Sequence, residues 1–455
     1  MPDIFLCKRS GQYLNQFNHA TAIFYTLSLP SKNKINQLKK LHLLASCLLT
    51  LLYAAPALFA NSSDTAFINK TDTVADAGLK LPPGFSATII ARGLDGARHL
   101  AVTKQGGIYV KLGRLKEGKG IYYLKDTNGD GVIKVQYGFG DYPGTGIFIK
   151  NGYLYASSND DVYRYKLNGR GEVIAPSQPE KIVVGLVNHN RDNSKSIAVD
   201  DDNNLYVNCG SYSNSCLVND TSLQAPMPCP LLDSVGGIWK FKINRLNQSY
   251  KEGIRYATGF KNVVGLDWNT TTHSLFIMQH GRDQFHDLYP QLYSEAQASS
   301  QPAETMYELH QGSDGGWPYV YYDNKLHKKI VSPEYGGDGV KEGGTIAQDP
   351  VVDFPAHLAP NGLLFYTGKL FPVKYRQGAF IAFHGKSPEM QKGYLVAFVP
   401  FTKNKPSGKW EIFADHFASD PASQPKPCGL AQGPDGSIYV ADDAKGNIYQ
   451  VKYNK

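Results

Sequence analysis

From residue 98 onward the chain repeats one hydrophobic pattern. A small apolar run is followed by a polar turn, and then by an alternating strand of the form apolar-Tyr-apolar. The six occurrences begin at Arg98, Thr145, Ser196, Val264, Asn361 and Cys428, and their second strands include Ile108-Tyr109-Val110, Leu205-Tyr206-Val207 and Ile438-Tyr439-Val440. Period-two strands joined by short turns predict antiparallel hairpins. The starts are roughly 47, 51, 68, 97 and 67 residues apart, and a four-stranded propeller blade takes about 40–50 residues. The longer intervals therefore carry insertions. The fold class predicted is all-β: a six-bladed β-propeller with inserted loops. A two-sheet sandwich fits six similar hairpins poorly. Helix is expected only as a turn or two between Tyr289 and Met306, broken at Pro302.

Composition agrees. With 45 Gly and 26 Pro the 455-residue chain suits tight turns rather than a helix bundle, and 29 Tyr with 21 Phe favour strands. The formal charge of +7 is concentrated at the start, since Lys8, Arg9, Lys32, Lys34, Lys39 and Lys40 face a single acid, Asp3, within residues 1–60. No basic stripe is visible elsewhere, which argues against a nucleic-acid binder. Leu41–Ala60 is an apolar run after Lys39-Lys40 and ends in small residues, the pattern of a secretory signal. Ala55-Pro56-Ala57 and Ala60 are rival cleavage positions, and a membrane anchor is the other reading of so long a run. The expected organisation is an N-terminal extension and signal over 1–60, a linker over 61–80 and the propeller over 81–455. The location expected is periplasmic or secreted, with no stable membrane span after processing. Export permits disulfides, and Cys216 and Cys229 bracket a polar excursion that makes them the expected pair; Cys209 and Cys428 sit in apolar strand positions and read as buried thiols. Asn61, Asn69, Asn219, Asn247 and Asn269 head Asn-x-Ser/Thr triplets, which matter only in a glycosylating host.

Two acidic features stand apart from the repeat. Asp126, Asn128 and Asp130 alternate before Gly131 like the first half of a calcium loop, but Tyr137 occupies the place of the closing glutamate. A structural cation and an Asp/Asn/Gly hairpin turn both fit. Asp200-Asp201-Asp202 and Asp442-Asp443 read as solvated turns.

Longer motifs carry a resemblance. They are Ala257-Thr258-Gly259-Phe260-Lys261-Asn262 with Gly265-Leu266, then His280-Gly281-Arg282-Asp283, then Gly316-Trp317-Pro318, then Ala359-Pro360-Asn361-Gly362-Leu363, and the closing segment from Gly429-Leu430-Ala431 through Val440. Together these resemble the glucose/sorbosone dehydrogenase family over about residues 81–452. That resemblance implies an exported six-bladed propeller that uses pyrroloquinoline quinone (PQQ) and calcium to oxidise a sugar or related alcohol or aldehyde; with no fused haem domain read in the sequence, a diffusible electron acceptor is expected. Position by position it implies a base at Asp192, or at His189 on the same loop, with Lys261 polarising an oxygen. It further implies Asn262, Trp317 and Lys426 around the cofactor, and the backbone carbonyls of Gly281 and Arg282 on calcium; apart from the resemblance, His384 and His357 lie at comparable blade mouths, and His384 is a further candidate cofactor contact. Asp192, Lys261 and Lys426 replace the family's His, Arg and Arg. Two other functions stay open: a decayed propeller kept as an extracellular binding module, and a metal-dependent lactonase-like hydrolase.

Overall fold

The computed structural model describes residues 75–217, 223–417 and 424–454. The signal-like segment, Cys7, Cys47, Asn61, Asn69 and Asn219 lie outside the described residues. Six sheets of four or five strands, plus one two-stranded hairpin, make up the described chain. Their innermost strands are Ala97–Val102, Ile147–Lys150, Ile197–Val199, Val263–Asn269, Pro360–Phe365 and Pro427–Gln432, which define the first to sixth blades. Each opens one of the six repeats and packs beside the innermost strand of the next blade, so the six ring a channel. The sixth blade closes the ring. Its strand Ile448–Tyr453 pairs with Phe85–Ala91 from the other end of the chain, fixing Ala87 opposite Val451. Ala75–Asp76, within the expected linker, adds one more short strand to that sheet.

The apolar-Tyr-apolar pattern follows from burial on both faces of a blade. In Ile108-Tyr109-Val110, Ile108 and Val110 pack toward the sixth blade while Tyr109 packs toward the second. Likewise Leu205 and Val207 face the second blade and Tyr206 faces the fourth. Alternation puts successive side chains on opposite faces, so one strand feeds two inter-blade cores. Burying each large side chain contributes roughly 1.5–3 kcal/mol.

Insertions account for the long repeats. In the fourth blade, short helices Phe285–Leu288 and Glu295–Ala298 separate the second strand from the third, Glu304–Leu309. The hairpin Val320–Asp323 with Lys328–Val331 precedes its outer strand Val352–Phe354. Phe285, Tyr289, Tyr293, Tyr321 and Ile330 give this insertion its own small core. Helix therefore stops before Pro302 as expected, but residues 304–306 belong to a strand. In the third blade the polar excursion is closed by a Cys216–Cys229 disulfide with Cα atoms 6.1 Å apart. Cys209 and Cys428 are free and buried.

Asp126, Asn128 and Asp130 form a turn. Asp126 accepts from the amides of Asn128, Gly129 and Gly131, Asp130 accepts from Val132, and Lys134 lies 3.0 Å from Asp130. The carboxylates are engaged by the hairpin they cap. Among the described residues no group of three or more His, Cys, Asp or Glu side chains could hold a metal ion, and this loop, with two Asp and one Asn, has the hydrogen bonds of an Asp/Asn/Gly turn.

Candidate active site

Backbone irregularities aim the side chains at one end of the channel. Register shifts fall at the first residues of four innermost strands, between Ala97 and Leu100, Val263 and Leu266, Pro360 and Gly362, and Pro427 and Leu430. Bulges of this kind turn side chains away from the ladder. Opposite them, His280 and Asp443 stand just beyond the second strands Ser274–Gln279 and Ile438–Asp442, and His384 lies in Gly378–Ser387 just past its pairing with the innermost strand at Phe383. The same end of three blades thus delivers all three groups.

On one side of this mouth, Asp443 joins two partners. Its Oδ2 is 2.8 Å from Arg98 Nη1 and 3.0 Å from His384 Nε2. Arg98 also donates to Ser194 Oγ at 3.1 Å and Thr145 Oγ1 at 3.3 Å, tying three blades together. Burial opposes charge on Asp443, yet the His384 hydrogen bond and the Arg98 guanidinium hold its carboxyl far below the usual range. Burial pulls His384 below an ordinary imidazole, against the raising influence of Asp443; Arg98 and Lys426 push the same way as burial. The result is a neutral ring fixed by a carboxylate at Nε2, with Nδ1 as its other nitrogen. Asp443 is no solvated turn.

Across the mouth, Asp192 is held by the two residues that were expected to act beside it. Lys261 Nζ lies 3.1 Å from Oδ2, and Asn262 Nδ2 donates to Oδ1 at 3.2 Å. Lys261 is buried, so it is no surface cation. Asp192 itself sits at φ +47°, and Gly210 lets its carbonyl approach: a Cβ there would stand 2.3 Å from Asp192 O. Two departures from the resembling family, Asp for His and Lys for Arg, therefore form one ion pair. His189 does not enter this pair; its ring packs on Tyr212 at 3.9 Å between centroids.

Other predicted residues are anchored by packing and hydrogen bonds. Trp317 is buried, donates to Asn214 O at 2.7 Å and lies on Gly236, where a Cβ would meet Cζ3 at 2.6 Å. It lines a pocket shared with Lys261 and Gly281. Arg282 is turned into the insertion, where its Nη1 reaches both oxygens of Glu334 at 2.7 Å. Gly281 donates its amide to the buried Glu304, which also accepts from Ala359, and burial raises that carboxyl to about 7. Lys426 is half-buried near His384. His280 is driven down to about 3 by burial first, with Lys261, His384 and Arg98 adding to it. His99, which lines a channel cavity of about 190 Å³, is driven by burial to about 4. Lys261, His280, His384, Lys426 and Arg98 are thus electrostatic neighbours at one face. Sequence reasoning missed Arg98 and Asp443, although Arg98 heads the first repeat.

A profile of the TrAA12-like family matches residues 79–322 and 341–454. The chain belongs to this family. A Trichoderma reesei enzyme of carbohydrate-active family AA12, in its calcium structure, is 19% identical with a TM-score of 0.69 over 85% of this chain and 99% of that one. The holo PQQ domain of Coprinopsis cinerea pyranose dehydrogenase is 17% identical with a TM-score of 0.64, covering 82% and 97%. The PQQ-bound aldose sugar dehydrogenase of Streptomyces coelicolor is 15% identical with a TM-score of 0.51, covering 82% and 99%. These likenesses establish the propeller fold. In sequence, an uncharacterized protein of Borreliella burgdorferi is 25% identical over 396 residues, 83% of this chain and 91% of that protein.

Proposed function

We propose that this chain is an exported PQQ-dependent oxidoreductase that oxidises a sugar or a related alcohol or aldehyde. The observation that carries the reading is the shared Asp443 carboxylate, which orients His384 and Arg98 together at the channel mouth. Family membership and the PQQ-binding neighbours support it, and the Cys216–Cys229 disulfide suits an oxidising compartment.

The mouth fits a flat, tricarboxylate quinone. Lys426 supplies positive charge beyond the paired Arg98 and Lys261, both of which keep N–H groups at the mouth, and the buried Asn262 Oδ1 has no hydrogen-bond partner among the described residues. When bound there, PQQ supplies a two-electron acceptor for a hydride from the substrate carbon. Calcium belongs to the proposal only through the backbone carbonyls of Gly281 and Arg282, because the mouth's carboxylates already face cations.

The protein's own part is proton handling and orientation. As the hydride departs, the hydroxyl proton must leave, and a base near its working range accelerates this step by about 10²–10⁴-fold. His384 suits the role because it is neutral, half-enclosed and oriented through Nε2, so Nδ1 is the nitrogen that takes the proton. Asp443 stabilises the imidazolium that results, and Arg98 fixes Asp443 so that the ring does not swing. The base is thereby assigned to His384 in place of His189 or Asp192. Electrons then pass to a diffusible acceptor.

Equilibrium dialysis of purified protein against PQQ, followed by dye reduction across a panel of aldoses with and without calcium, tests this reading. Saturable PQQ binding with sugar-dependent reduction is expected. A protein that binds no PQQ is not this enzyme.

A further inference from the structure

A second cavity, of about 350 Å³, opens beside the mouth between the first, second and sixth blades, a size within the range of small-ligand sites. Two arginines are built into its wall by a reciprocal packing over glycines. Gly113 donates its amide to Gly96 O at 2.7 Å. Arg98 lies over Gly113, where a Cβ would meet Cγ at 3.1 Å, and Arg114 lies over Gly96, where a Cβ would meet Cγ at 2.8 Å. Gly96 has φ +81°, so both its conformation and its missing side chain seat Arg114.

The charges of the two arginines are not equivalent. Arg98 is neutralised by Asp443. Arg114 is exposed and forms no ion pair among the described residues. The cavity therefore presents the equivalent of one positive charge on a planar fork, beside the side chains of Thr145, Asn159 and Ser194. A guanidinium fork matches a carboxylate bidentately, and a single net charge suits a monoanion better than a dianionic phosphate. The hydroxyls and the amide suit sugar hydroxyl groups.

We infer that this cavity is a substrate subsite for an acidic sugar, with Arg114 as the partner of a uronate carboxylate while the reducing end of the sugar faces His384. The assignment rests on the mouth being a sugar-oxidising site, and it names the substrate class. Arg114 is a specificity residue rather than a part of the proton machinery.

Calorimetric titration of D-glucuronate and of D-glucose, which differ at one carbon, tests the assignment on both cofactor-free and PQQ-loaded protein. A hydrogen-bonded charge pair of this kind is worth about tenfold or more in affinity. Wild-type protein should therefore favour glucuronate over glucose by about tenfold or more. Arg114→Ala should abolish that preference, and Arg114→Lys should keep part of it. Equal affinities in wild type, no binding of either sugar, or an undiminished preference in Arg114→Ala would overturn the subsite. So would an Arg114→Ala variant that weakens PQQ binding while leaving the glucuronate-to-glucose ratio unchanged, which would make Arg114 a cofactor contact. Because binding is read directly, a protein that binds glucuronate but never turns over would sink the redox reading and leave the subsite standing.

Discussion

Two aspartates face the same channel mouth from opposite sides, and their partners give them opposite uses. Asp192 meets an ammonium and an amide, Lys261 and Asn262, and both of its oxygens are engaged in holding the mouth together. Asp443 meets a guanidinium and an imidazole, Arg98 and His384. The first arrangement ends in a closed ion pair. The second ends in a neutral ring with a nitrogen to spare, and only that one can pass a proton on. A carboxylate at a mouth is thus informative through its partner, and the partner comes from a different blade.

The comparison breaks most sharply at the ring. In PQQ-loaded protein His384→Gln should lower kcat by about 10²–10⁴-fold, whereas His189→Ala, packed on Tyr212, should change it by no more than about twofold; dye-reduction kinetics would show both. The next effect is smaller and has a pH signature. Protonation of His384 removes the base, so wild-type turnover should fall on the acid side with a midpoint below the ordinary imidazole value of about 6.5, because burial lowers it. Asp443 raises that pKa, so Asp443→Asn should move the midpoint lower still and cost about tenfold at neutral pH. A midpoint that moves upward would show that Asp443 does not act on His384 in this way.

On the other side of the mouth the expected loss is of stability. Lys261→Met leaves Asp192 without its cation in a mostly buried setting, at a cost of up to about 3 kcal/mol. Asp192→Leu added to it should recover part of the loss in urea unfolding, since removing both charges is gentler than removing one. A double variant as unstable as the sum of the singles would show the pair to be uncoupled. Smallest of all, Asp126→Ala should cost about 1 kcal/mol through lost turn bonds, equally with calcium or with chelator.

Much of the fold was legible because its cause is local and repeated. Each strand is buried on both faces by neighbours of the same kind, so the pattern of Ile108-Tyr109-Val110 recurs six times with a turn beside it. Closure by Phe85–Ala91 left no such mark, since pairing between the chain's two ends is a property of the ring. The site was less legible for the same reason. Lys261 and Asn262 were found through their motif, but the ion pair with Asp192 joins residues some 70 positions apart. Asp443 looked like a turn acid next to Asp442; what sets it apart is its pairing with Arg98, 345 positions away. Trp317 was found through its motif, but its packing on Gly236, 81 positions away, left no mark in the sequence.

The most direct test of the assignment to His384 is chemical rescue. His384→Gly removes the ring and leaves a space that free imidazole can enter, while Asp443 and Arg98 stay in place. The account predicts that sugar oxidation by the PQQ-loaded variant is nearly abolished and then rises with added imidazole to a plateau. A variant that turns over like wild type without imidazole, or that stays inactive whatever imidazole is added while still binding PQQ and sugar, would contradict it.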